Sequence, residues 1–160
     1  MIIQHEDLRK LRKKYKDKKI VYCSGSFDLV HLGHALLFKK CKKFGDILVV
    51  NVGCDYDIFN RKPGRPILPQ SIRLRTVNEL KSVDYCFLGK QMLSNDNSQA
   101  RVIEIFESLR PDIYIATNDV SDMDYRRKVA RDHGIRLVVI SPVLPSLTTS
   151  SIIDKIKKDK

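Results

Sequence analysis

The sequence predicts an α/β fold: an open parallel sheet of five strands with helices on both faces. Three observations carry the prediction. Short apolar runs alternate with stretches of helical periodicity along the chain, which is the pattern of repeated strand–helix units. One of those runs, Ile47 to Val52 (ILVVNV), is almost continuously apolar, as in a strand buried on both faces of a parallel sheet. Residues 21–38, VYCSGSFDLVHLGHALLF, read as strand, tight turn and helix, and with Ile47–Val52 they complete a right-handed βαβ unit.

Taken in order, residues 5–17 (HEDLRKLRKKYKD) place Leu8, Leu11 and Tyr15 on one stripe, so a basic leader over residues 1–18 is expected to hold a short amphipathic helix. Ile20 to Cys23 form the first strand, which breaks at Ser24-Gly25-Ser26. The next helix begins near Leu32, continues through Phe38 and Cys41, and is expected to end with Gly45 as its C-cap. Residues 60–69, NRKPGRPILP, hold three prolines, one glycine and three cations, too broken for a helix or central strand, and predict a mobile basic loop. Residues 70–81 read as a helix with Ile72, Val77 and Leu80 in the core, and Val83 to Leu88 as a strand. Asn95, Asp96, Asn97 and Ser98 offer turns and a cap for a helix from about Gln99 to Leu109. The strand DIYIA follows, then a short helix near Asp124 to His133, a turn at Gly134, and a last strand from Arg136 to Ile140. Thr148, Thr149, Ser150 and Ser151 precede a final helix, where hydroxyls can cap the helix or bind phosphate.

The length of 160 residues suits one domain with a proper core, and 42% hydrophobic with 31% charged residues is a globular composition. The net charge of +11 is concentrated at the ends: residues 9–19 hold eight Lys/Arg and residues 155–160 hold four, leaving a nearly neutral body. Such charge can serve nucleic acid or an anionic surface, but without an aromatic-rich recognition motif it reads as solvated helix faces. No signal-peptide core and no bilayer-length apolar run is present, so a cytoplasmic location without a membrane span is expected. Cys23, Cys41, Cys54 and Cys86 lack CxxC spacing and read as small buried hydrophobes.

The chemistry concentrates at the first turn. The leading N–H groups of a helix lack intrahelical partners and sit at the positive end of its dipole, which makes a phosphate site of the Ser24–Phe27 junction. Gly25 permits the sharp turn, and Gly33 removes a side chain between His31 and His34, which share one face if that turn is helical. A capped helix start with two incidental histidines, or a zinc site, are the other readings; His5 and His133 bring no ligand cluster that would complete zinc coordination. Imidazole nitrogens can donate to phosphate oxygens, and protonated histidine adds charge where a pentavalent phosphorus needs it.

GSFDLVHLGH, at Gly25 to His34, resembles the G-x-F-D-x-x-H-x-G-H signature of the cytidylyltransferase-like nucleotidyltransferases, relatives of class I aminoacyl-tRNA synthetases. The resemblance extends from about Lys19 to Ile156. GRPILP, ending four residues later at Arg73, resembles a segment of sugar-phosphate and flavin adenylyltransferases; VDYCFLG resembles the family's V-D-x-x-x-x-G step; and LTTSSII resembles S-T-T-x-I-I. Two departures stand out: Thr117 replaces a glycine before the acidic Asp119, and Leu144-Pro145-Ser146 replace the Arg or Asp-Gly that relatives carry.

This resemblance implies a Rossmann-like sheet of order 3-2-1-4-5 and attack by an acceptor phosphate on the α-phosphorus of ATP or CTP, with release of pyrophosphate. It implies that His31 and His34 stabilise the α-phosphate, that Lys62, with Arg61 close behind, closes over the β- and γ-phosphates, and that Arg73 adds a cation. Ser24, Gly25, Ser26, Phe27, Asp28, Gly33, Asp119, Thr148 and Thr149 would cradle the nucleotide, with Mg²⁺ bridging phosphates and no metal held by protein ligands alone. A heptose-like sugar phosphate is the acceptor the pattern leans toward; cytidylyl transfer to glycerol phosphate or another phosphoalcohol, and adenylyl transfer to flavin mononucleotide, are the alternatives. A non-catalytic relative that binds RNA or an acidic partner is the reading of another class. The family also implies a homodimer.

Overall fold

A computed structural model of the chain describes residues 1–90, 98–118, 120 and 122–158. The strands are β1 (Ile20–Gly25), β2 (Ile47–Val52), β3 (Tyr85–Leu88), β4 (Ile113–Thr117) and β5 (Arg136–Ile140), all parallel, in the order β3-β2-β1-β4-β5. β1 and β2 pair in unbroken register from Ile20 against Ile47 to Gly25 against Val52. Leu48, Val49, Val50 and Val52 are fully buried, each contributing roughly 1.5–3 kcal/mol relative to exposure. The order reverses between β1 and β4, and ligands of such sheets bind beyond the strand carboxyl ends at that switch point.

The helices are α1 (Leu8–Lys14), α2 (Leu32–Lys42), α3 (Asp55–Arg61), α4 (Gln70–Asn78), α5 (Ser98–Leu109), α6 (Met123–Asp132) and α7 (Thr149–Lys158). Period-two alternation along each strand sends side chains to two cores. Tyr22, Val49, Phe87 and Tyr114 face Leu8 and Leu11 of α1, Phe106 and Leu109 of α5, and Val129 of α6. Val21, Cys23, Leu48, Val50 and Ile115 face Phe38 and Cys41 of α2 and Val77 of α4. Both faces of the sheet are therefore covered. All four cysteines are buried free thiols, as expected.

Three local expectations are corrected. Gly45 does not cap α2, which ends at Lys42 with Lys43 at its C-cap; a Cβ at Gly45 would stand 2.7 Å from the Lys19 carbonyl oxygen, so the glycine serves close backbone approach. Ile72 is exposed, and the inward position of α4 is held by Arg73, whose charge masked the true phase of the helix. Arg61 ends α3, a seven-residue helix that the sequence did not announce, so the irregular segment is 62–69. Within that segment Arg65, Ile67 and Leu68 donate to the Asp28 carboxylate. Ahead of α1, Ile2 bridges Cys86 at the outer side of β3, followed by a 3-10 turn at His5–Asp7.

Candidate active site

The chain leaves β1 at Gly25 and reaches α2 at Leu32 through a turn in which Phe27 and Leu29 have positive φ, at 49° and 46°. Left-handed backbone at non-glycine residues costs free energy and concentrates at functional loops. Phe27 is held there by packing: its ring is buried, 4.9 Å from the Phe38 ring and edge-on to His34 at 5.6 Å. The N–H groups of Ser26, Phe27 and Asp28 have no acceptor among the described residues, in a loop feeding the positive end of α2. Ser24 pairs with Asn51 in the β1–β2 ladder, one residue before the turn.

His31 and His34 open α2 as a reciprocal cap. His31 Nδ1 accepts from the Gly33 N–H at 3.1 Å, and His34 Nδ1 accepts from the His31 N–H at 3.4 Å. A ring whose Nδ1 accepts must carry its neutral-form proton on Nε2, so both rings present Nε2–H on the opposite side. The rings stack with centroids 4.0 Å apart. Burial lowers the His31 pKa; burial, and then repulsion from His31, lower that of His34 to about 4 against a countering pull from Asp28. At neutral pH the pair is uncharged.

The sign of the resulting stability dependence follows. An unfolded chain charges its histidines near 6.5, whereas the folded chain resists charging His34 until about 4, so stability is full above 6.5 and declines as pH falls between those values. Urea unfolding at several pH values, with His34→Gln as the control, is expected to show a decline from pH 6.5 to 4 that is shallower in the variant.

Gly33 touches this geometry directly. A Cβ there would lie 2.9 Å from His31 Nδ1 and Cε1 and 3.4 Å from the Leu147 carbonyl oxygen. Gly33→Ala is expected to turn the His31 ring off its N–H anchor and lower turnover about 10-fold or more, with thermal midpoint little changed; matched turnover and melting measurements check this. The same contact places the start of α7 against the His loop. The Thr148 hydroxyl caps Ser151 N–H at 3.0 Å, while the Thr149 hydroxyl donates to the Asp28 carbonyl at 2.7 Å.

Asp28 ties the site together. Its carboxylate is buried and accepts from Arg65 Nε at 2.8 Å, Ile67 N–H at 2.8 Å and Leu68 N–H at 3.0 Å. Burial opposes its ionisation, but these donors outweigh burial and hold its pKa below the usual carboxylate value. Its side chain is thus committed to the basic loop, and as a direct nucleotide ligand Asp28 retains only its N–H.

Arg73 is likewise committed to partners within the protein. It is fully buried and donates to the carbonyls of Leu68, Ser26 and Gly53 and, at 2.8 Å, to Asp55. Five planar donors suit this bracing of three backbone segments. Lys62 and Arg61 are exposed; Arg61 Nε bonds the Asp57 carbonyl, and the Lys62 ammonium has no partner among the described residues. Asp119 lies outside the described residues. The sequence reading passed over Arg65 and Asp55; the signal was the buried acid of the signature, which required a cation from the neighbouring loop.

No group of three His, Cys, Asp or Glu able to hold a metal occurs among the described residues, and the Asp28 oxygens are taken. These residues do not form a protein site for Mg²⁺.

A parallel sheet with this switch point, an anion-binding turn and a paired-histidine helix start define a nucleotide-handling α/β domain of the nucleotidyltransferase class. The chain belongs to the cytidylyltransferase-like family, whose profile matches residues 22–152. It is 35% identical over 145 residues to an FAD synthase of Methanothrix thermoacetophila, covering 88% of this chain and 94% of that one. It is 30% identical over 161 residues to the bifunctional protein HldE of Helicobacter hepaticus, covering 99% of this chain but only 31% of HldE, so it spans about a third of that relative. A lipopolysaccharide core biosynthesis protein from Thermoplasma volcanium superposes with a TM-score of 0.62 at 32% identity, over 78% of this chain and 98% of that one. No helix among the described residues is long and apolar enough to cross a membrane.

Proposed function

We propose that this chain transfers a nucleoside monophosphate from ATP or CTP to a small phosphorylated acceptor, releasing pyrophosphate. The observation that carries the reading is the pinned histidine pair: two neutral rings with Nε2–H donors beside the unpartnered N–H groups of Ser26 to Asp28. In the reaction an acceptor phosphate oxygen attacks the α-phosphorus, a P–O bond forms in line with the breaking bond to the β-phosphate oxygen, and pyrophosphate departs with that electron pair. Little covalent help is needed, so positioning and charge neutralisation dominate. His31 and His34 donate to the α-phosphate oxygens as charge builds there. The N–H groups of Ser26, Phe27 and Asp28 cradle the chain of phosphates, and Lys62 closes over the β- and γ-phosphates with Arg61 behind it. Mg²⁺ enters as part of the nucleotide substrate.

Arg73 is a positioning residue in this scheme, and Asp28 fixes the loop that carries Lys62. Thr149 holds the α7 start against Asp28, with Thr148 as its cap. For the acceptor, the sequence pattern leans to a heptose-like sugar phosphate, while the similarity to an FAD synthase along nearly its whole length supports flavin mononucleotide as a second reading. The test is pyrophosphate release with Mg²⁺, offering ATP and CTP separately against sugar phosphates, glycerol phosphate and flavin mononucleotide. Turnover with one pair is expected; none with any pair, from folded protein, would overturn transfer.

A further inference from the structure

The sheet ends in two unlike edges. Along β3 the chain's own first residues extend the ladder: the Cys86 N–H donates to the Met1 carbonyl and the Ile3 N–H to the Cys86 carbonyl, each at 3.0 Å. β5, at the other end of the order, has no strand beyond it among the described residues. The Arg136 N–H donates to the Asp112 carbonyl and the Ile140 carbonyl accepts from the Asn118 N–H, so residues 136, 138 and 140 turn their main chain toward β4. By strand alternation Leu137 and Val139 turn theirs outward, where their N–H and carbonyl groups can pair with another extended segment.

Beside this edge lies a cavity of about 450 Å³, floored by Ala130, Ile135, Leu137 and Val139 and flanked by Arg127 and Arg131 of α6. Val139 is 39% exposed, and both arginines are exposed. Charge on an edge strand is a common guard against unwanted pairing, and Arg136 fits that role. Arg127 and Arg131 do not, since they belong to a helix and frame an apolar floor. Their charge is largely uncompensated: Arg127 has no carboxylate partner among the described residues, and Arg131 reaches Asp132 only at 3.8 Å, with Lys128 already bonded there at 3.0 Å.

From this geometry we infer that the outer edge of β5 docks an acidic segment of a partner protein, which extends the sheet along residues 137–139 and sets two carboxylates, at alternate positions, against Arg127 and Arg131. The spacings agree. Alternate residues of a strand are about 6.6 Å apart on one face, and residues four apart on a helix rise about 6 Å. The aliphatic stems of two glutamates would cover Leu137 and Val139 while the main chains pair. A second copy of this chain brings the same arginines to the edge, like charge against like, and an RNA strand meets the arginines but leaves the strand's main-chain groups unpaired. The inference stands apart from the transfer reading, because none of these residues belongs to the histidine site.

Fluorescence anisotropy with the full chain tests it, using a labelled peptide of alternating valine and glutamate, a lysine version, and a version of the same composition with its glutamates in adjacent pairs. The alternating glutamate peptide is expected to bind about 10-fold or more tightly than the paired one, whose carboxylates point to opposite faces. Methylating the peptide nitrogens on its pairing edge should cost as much. Arg127→Glu combined with Arg131→Glu should abolish glutamate-peptide binding, admit the lysine peptide and leave circular dichroism unchanged. Four results overturn the assignment. Binding indifferent to methylation reduces it to charge alone, and binding unchanged in the reversed variant puts the peptide elsewhere on this basic chain. Oligouridylate that binds more tightly than the peptide, and is lost in the same variant, makes the groove a nucleic-acid site. A dimer in sedimentation that Val139→Lys splits gives the edge to a second copy.

Discussion

Replacing His34 by Ala is expected to lower turnover on the order of 10²-fold or more, the usual loss for one donor aimed at charge that develops in the transition state. The variant loses its own Nε2–H and also frees the His31 N–H that His34 Nδ1 accepts, so the cap that orients His31 loosens with it. Because His34 is uncharged in the free protein, nucleotide affinity should fall much less than turnover. Steady-state pyrophosphate release together with nucleotide binding by calorimetry checks both parts. Near-wild-type turnover would remove the histidine pair from the chemistry.

Replacing Asp28 by Ala carries the largest expected effect on stability, roughly 3–5 kcal/mol, because truncating one member of a buried ion pair strands the other. Arg65, whose side chain is 14% exposed, and the N–H groups of Ile67 and Leu68 all lose their acceptor. Asp28→Asn keeps a carbonyl oxygen for one of these donors and should lose less. Denaturant unfolding measures the difference. The sign of its pH dependence is fixed by the lowered pKa: this stabilisation is present above the usual carboxylate value and is lost as pH falls through the lower folded value. If both variants unfold with wild-type midpoints, Asp28 does not tie the loop.

Much of the fold was legible because strand signals are local. Ile47–Val52 and Arg136–Ile140 fall where their apolar runs placed them. The stripe of Leu8, Leu11 and Tyr15 packs as read, with the Tyr15 hydroxyl 2.8 Å from that of Tyr85. Strand order was another matter: periodicity carries no record of which strands are neighbours, and only the likeness around Gly25–His34 supplied 3-2-1-4-5. Helix α3 escaped because one of its inward positions is Asp57, ion-paired with Arg101, so seven residues show no apolar period. Ile72 misled for the converse reason, since the buried position beside it belongs to an arginine.

At the site, residue types were readable and hydrogen-bond assignments were not. His31 and His34 could be paired from their spacing, but their tautomers depend on which backbone N–H each Nδ1 meets. Asp28 drew attention inside the signature and Arg73 through the GRPILP likeness. Both turn inward, because charged groups in a water-excluded junction need several fixed partners, and the junction of β1, β2 and the basic loop supplies them.

The way the 62–69 segment is fastened has a bearing on which of its positions are free to vary. Apart from Arg65, Asp28 grips it through the main-chain N–H groups of Ile67 and Leu68. Main-chain donors are indifferent to the side chains they carry, so the exposed residues of the segment can be exchanged while it keeps its course past the histidines. Sequence can therefore drift along the exposed side chains of 62–69 without unfastening the segment from Asp28.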